Sequence, residues 1–184
     1  MFTRRHIGTI LLLATFVSCS RESPERPQDS ESWSPGGPVA PPRDMLAILE
    51  GSDHVTLYRV TGEFSAEFNE HKTNPKIAGY PKLAEKPVPP AVRVELAQIL
   101  AESRNFLREN ETWTCLPQPF YVIRGIRGND TIDVIVHECG DVEIHGMIAG
   151  KARDWHHGLR PSSAESRLWS LMRGLIPARA NCCG

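Results

Sequence analysis

No run of apolar residues in this chain of 184 residues approaches the ~20 that a membrane-spanning helix requires. Neither sign of charge is in excess. With 21 Lys+Arg against 22 Asp+Glu the formal net charge is −1, which leaves no basic footprint for a nucleic-acid backbone. The sequence also lacks a Gly-x-Ser-x-Gly elbow, a P-loop, a Gly-x-Gly-x-x-Gly turn and a His-Glu-x-x-His helix. No catalytic residue is therefore named by motif, and no cofactor is implied. Internal repeats are missing too, and 40% apolar content is ordinary for one globular domain.

What is present divides the chain into three. Residues 1–18 carry Arg4 and Arg5, an apolar stretch from Ile7 to Val17, and Ser18 before Cys19. A charged start, a short apolar run and a small residue form a secretory signal peptide, too short to anchor as a spanning helix. Phe16-Val17-Ser18-Cys19 resembles a bacterial lipobox, with Phe16 where Leu is usual. The resemblance implies that Cys19 becomes the first mature residue, with diacylglycerol on its thiol and an acyl chain such as palmitate on its amine. Several chains at ~0.8 kcal/mol per buried CH₂ hold a protein on a membrane where one would release it. Ser20 follows Cys19 in place of the Asp of inner-membrane-retained lipoproteins, so the expected address is a bacterial cell envelope, on the outer membrane facing the periplasm. Cleavage after Ser20 instead would give a soluble secreted or periplasmic protein. Either cut removes Arg4 and Arg5 and no acid, taking the formal charge from −1 to −3.

Residues 19–43 comprise the lipidated cysteine and a tether. Positions 20–43 hold six Pro and five Ser and almost nothing to bury, so the stretch cannot offset its ordering entropy. At ~3.1 Å per residue when extended it would hold the next domain tens of ångströms from the lipid.

Residues 44–184 read as a single α+β domain: an antiparallel sheet of one strand plus a three-stranded meander, with two main helices packed on one face. Asp44 caps a short helix ending at Gly51, and His54–Val60 has β-branched and aromatic strand content. Residues 61–86 read as an extended connection. Pro89-Pro90 opens a helix whose apolar stripe runs from Val92 through Leu96, Ile99, Leu100 and Ser103 to Phe106 and Leu107. Ser162-x-x-Glu165 is a capping box, followed by Leu168, Leu171, Met172 and Leu175 and closed by Gly174 and Pro177. Between the helices, three β-rich runs are separated by Gly128-Asn129-Asp130 and Gly140-Asp141. A three-residue first loop pairs Ile126 with Ile132 and Val122 with Val136. That register predicts a core face of Phe120, Val122, Ile126, Ile132, Val134, Val136 and Met147.

Four cysteines remain besides Cys19, an even count in an oxidising compartment. Cys115 precedes the first meander strand and Cys139 ends the second, so the hairpin returns one towards the other. A disulfide closing that loop of about 25 residues would stabilise by ~3 kcal/mol on the chain-entropy model. Adjacent Cys182 and Cys183 are candidates for a redox pair, for free thiols or for pairing with another chain.

His137 and Cys139, two apart on a strand, are the candidate metal ligands. With Gly140-Asp141 as the turn, Cys139 faces Val142 and His137 faces Ile144, which sends His145 to the opposite side. Only two ligands then converge, and Trp155-His156-His157 sits in a loop. Glu138, Glu143 and His145 share the other face and form the remaining acid and base cluster. The stretch from Cys115 to Gly140 resembles a family of uncharacterised bacterial lipoproteins in which a Cys precedes a hairpin ending in Cys-Phe-x-Cys. Val136 and His137 stand where that pattern has its first Cys and Phe, so no Cys-x-x-Cys motif survives. The resemblance implies no activity. The leading expectation is an anchored module that binds a membrane lipid through its acyl chains and an envelope protein through its domain. The alternatives are a thiol-redox or metal module and, more weakly, a hydrolase.

Overall fold

In a computed structural model of the chain, residues 40–107, 118–161 and 163–177 are described, all within the compact unit Pro35–Gly184. Helix α1 (Arg43–Gly51) starts with Met45 N–H donating to the Asp44 carboxylate at 3.0 Å, and buries Met45, Leu46, Ile48 and Leu49 along one face. Strand β1 (His54–Val60) follows, then a single helical turn α2 (Phe68–His71), strands β2 (Lys76–Ile77) and β3 (Tyr80–Pro87), and helix α3 (Pro90–Ala101). The second half contains β4 (Pro119–Arg127), β5 (Asp130–His137), β6 (Asp141–Ile148), β7 (Lys151–Gly158) and helix α4 (Ser163–Leu175). The seven strands form one curled, wholly antiparallel sheet in the order β2-β3-β1-β4-β5-β6-β7.

The mixed α+β class holds, but the sheet is larger than the sequence reading. Three of its strands, β2, β3 and β7, lie in stretches read as connection or loop. Their hairpins turn on Ala78-Gly79 and Ala149-Gly150, with φ of 49° and 87° in the first and 50° and 76° in the second. Two central residues at positive φ match the twist of the strands, a geometry normally announced by Asn-Gly or Asp-Gly. Alanine in the first position hid both turns.

One face of the sheet is covered by α1, α3 and α4. Val55, Leu57, Tyr121, Ile123, Ile132, Val134, Val136, Val142 and Ile144 meet Leu49, Leu96, Leu100, Leu168 and Met172 in a continuous apolar core. Gly125 lies where α1 crosses β4: a Cβ there would stand 2.9 Å from Ser52 Oγ. Tyr121 Oη donates to the Ile176 carbonyl at 2.6 Å, tying the end of α4 to the middle of the sheet. The other face holds a smaller cluster of Val60, Ile77, Val122 and Ile135, against which Tyr58, Ala78 and Tyr80 pack.

The expected meander register is displaced by one residue. Arg127 pairs with Asp130, so the loop is the two residues Gly128-Asn129, and Ile126 faces Thr131 while Val122 faces Ile135. Gly128 at φ +60° makes that shorter turn possible. Because side chains alternate, a one-residue slip exchanges faces. Tyr121 and Ile123 thus join Ile132, Val134 and Val136 in the core, while Val122 turns away. Ile126 is 41% exposed and Met147 45% exposed. Phe120 keeps its place in the core through the irregularity between Pro119 and Tyr121.

Helix α3 stops at Ala101, short of the expected stripe. A 3₁₀ turn, Ser103–Asn105, follows, and Asn105 Nδ2 donates to the Ile99 carbonyl at 2.7 Å. Phe106 reaches the core from extended backbone, bridged to Leu159 and edge-on to Trp155 at 4.8 Å. Gly174 falls inside α4 and does not end it. The capping residue Ser162 lies outside the described residues, as do Cys19, Cys115, Cys182 and Cys183.

Candidate functional site

Strands β5, β6 and β7 bring seven acid and imidazole groups together on the face opposite the helices. Antiparallel pairing sets Ile135, Glu143 and His156 in one row across the strands, and Asp133, His145 and Asp154 in the next. Arg124 continues the second row on β4 and grips Asp133 with two hydrogen bonds, of 2.7 and 2.6 Å. His137 and Asp141 stand at the end where β5 turns into β6.

Glu143 is the hub. Its Oε1 lies 3.1 Å from His137 Nε2, and its Oε2 lies 3.1 Å from His145 Nε2. His145 Nδ1 is 2.7 Å from Asp154 Oδ1, and His156 Nε2 is 4.0 Å from Asp141 Oδ2. The His137 side chain is only 2% exposed; among the described residues its Nδ1 has no hydrogen-bond partner, and its Nε2 meets Glu143 at ion-pair distance without hydrogen-bond geometry.

These contacts fix the protonation states. His137 beside it, more than burial opposes, holds Glu143 ionised down to about 2, with His145 adding to the effect. Burial works against a charged His145, but Asp154 and Glu143 outweigh it and raise its pKa above the usual imidazole value. Tyr80 is pushed up by burial and then by Glu143 and Glu63, which sets the end of the β2–β3 hairpin in the field of the same carboxylate. Two carboxylates beside His145 favour its protonated form, and a carboxylate ionised to about 2 is a weak base.

Glu143 and His145 thus meet as the sequence suggested. Glu138 does not join them: it is exposed in the turn, its N–H donating to the Gln118 carbonyl at 2.9 Å. The opposition of His137 and His145 is corrected. Val136 pairs with Val142 and Ile135 with Glu143, so the turn spans more residues than expected and both histidines approach one carboxylate. Asp154 was missed and His156 was read in a loop, because the stretch that is β7 carries no strand signal. Strand β5 ends at His137, so the alternation that would aim His137 and Cys139 alike stops before Cys139. Cys139 is in the disulfide-bonded state, and every other cysteine lies outside the described residues. Among the described residues no three His, Cys, Asp or Glu side chains are grouped to hold a metal ion.

Elsewhere, a cavity of about 410 Å³ between α3 and α4 is lined by Glu102, Arg104, Asn105, Ser163 and Arg167. Both of its guanidinium groups are engaged, Arg104 with Glu102 at 2.6 Å and Arg167 with Glu95 at 2.7 Å. Among the described residues, no helix is long and apolar enough to cross a membrane. The chain matches no protein-family model, no curated protein and no solved structure.

Proposed function

We propose that this chain is a lipid-anchored module of a bacterial cell envelope that binds an extended segment of another envelope protein along strand β7. The observation that carries this reading is the edge of the sheet. All eight residues of β7 pair with β6 on one side. On the other side Gly158 is engaged, its carbonyl accepting from Leu107 N–H at 2.8 Å. In an antiparallel ladder alternate residues turn their N–H and C=O outward. Gly158 is one of them, so Ala152, Asp154 and His156 are the others. A row of unspent donors and acceptors is a template for strand addition. Lys151 and Arg153 against one Asp154 favour an acidic partner strand.

Cys19 supplies the anchor, on the outer membrane facing the periplasm, and Cys115 staples to Cys139. Supporting the staple, Gln118, three residues after Cys115, is hydrogen-bonded to Glu138, the neighbour of Cys139. The weak basicity of Glu143, ionised down to about 2, supports binding over hydrolysis.

The test is photo-crosslinking in intact cells from position 153, with and without Ala152→Pro. Proline there removes an outward donor and leaves the β6–β7 ladder intact. The adduct is expected to vanish in the variant while the melting temperature holds; an adduct unaffected by Ala152→Pro would sink the reading. Cys19→Ser is expected to release the protein from the membrane fraction.

A further inference from the structure

We propose that Arg59 anchors a second site, a cavity that takes a short carboxylic acid with an apolar tail. The residue is out of place by pattern. Val55, Leu57 and Arg59 alternate on the helix-covered face of β1, and the first two are core residues. Arg59 stands third in that row, only 5% exposed, opposite Tyr121 on β4. A guanidinium in such a position is costly unless its donors are used. Nη2 donates to Glu67 Oε2 at 2.7 Å, and the group lies 5.2 Å from the centre of the Phe120 ring. Nε is buried and has no hydrogen-bond partner among the described residues.

Space for a ligand lies beside it. The pairing of β1 with β3 runs from Arg59 opposite Ala84 to Val60 opposite Lys82, so Leu83 is an extra residue, a bulge. There a cavity of about 220 Å³ opens, with Arg59, Glu67 and His71 as its polar wall and Leu83, Ala84 and Ile176 as its apolar one. At ~30 Å³ per water-sized group it holds about seven non-hydrogen atoms. The head group must accept from the guanidinium, and carboxylate geometry matches that planar donor. The tail must be short and apolar to lie on Leu83 and Ile176. Glu67 takes Nη2 and fixes the guanidinium plane, and the part of the group that lines the cavity is left for the ligand.

The site is independent of the β7 edge and is tested separately. The full chain, labelled with ¹⁵N, is titrated with pentanoate, with pentanamide and with inorganic phosphate, and followed by NMR. Saturable shifts centred on Leu83, Ala84 and the Arg59 Nε–H are expected for pentanoate, with binding at least tenfold weaker for the amide and for phosphate. Arg59→Met is expected to abolish them, and Ala84→Trp, an exposed position that plugs the mouth, serves if the first variant fails to fold. Unsaturable shifts, equal binding of acid and amide, phosphate binding as tight as pentanoate, or saturation unchanged in a folded variant would each overturn the site.

Discussion

The two faces of the sheet solve the same problem by different means. Under the helices, neighbouring strands contribute Ile123, Val134 and Ile144 in one row, and stability comes from removing apolar surface from water. On the other face the corresponding rows read Arg124, Asp133, His145, Asp154 and Val122, Ile135, Glu143, His156, where carboxylates are offset by guanidinium and imidazole. The apolar row of the first face depends on shape and carries nothing that titrates. The second depends on protonation, because Glu143 connects a buried imidazole to an exposed one.

Four changes probe that contrast, from the largest effect to the smallest. Leu100→Ala, in the fully buried layer between α3 and the sheet, is expected to cost about 2–5 kcal/mol at any pH, read by urea denaturation. Glu143→Gln is expected to cost about 1–3 kcal/mol at neutral pH, since it removes the charge that stands 3.1 Å from the buried His137 Nε2. Its pH signature is the sharper result. A carboxylate lowered from 4.5 to about 2 contributes its full stability above 4.5 and loses it as pH falls through about 2. The gap between wild type and Glu143→Gln is therefore expected to close over that window; a constant gap would mean that the second face works by packing like the first.

Ala149→Asn tests the turn that creates β7. Alanine at φ 50° is strained and asparagine is not, so a gain of about 0.5–1 kcal/mol is expected, a rise of a few degrees in melting temperature. Asp154→Asn touches an exposed pair and should cost less than about 0.5 kcal/mol. Because the pKa of His145 is raised, that contribution is whole below the usual imidazole value of 6.5 and fades as pH rises through the shifted one. Melting temperatures of the two proteins should differ at pH 6 and coincide at pH 9.

Legibility in the sequence followed the strength of local signals. Strand β1 fell where its β-branched and aromatic content placed it, and α1 and α4 where their apolar spacing did. Register was harder, because a two-residue and a three-residue loop are both compatible with Gly128-Asn129-Asp130 and differ by an exchange of faces. The site inherited that uncertainty. Glu143 and His145, two apart on one strand, were found as neighbours, whereas the approach of His137 depends on cross-strand register and that of Asp154 on a strand with no turn signal. Arg59 was invisible for another reason: an alternating strand with one polar position inward looks the same in sequence as one whose polar position faces out.

The position of β1 between β3 and β4 bears on how the chain reaches this fold. Strands β4 to β7 are successive hairpins whose partners meet by closing short loops, whereas β1 must find β4 across the whole of α3 and the segment after it. Short loops close first and long closures are slow. The meander is therefore expected to form ahead of its union with β1. Substitutions such as Val134→Ala should then mainly slow refolding, and Val55→Ala should mainly hasten unfolding.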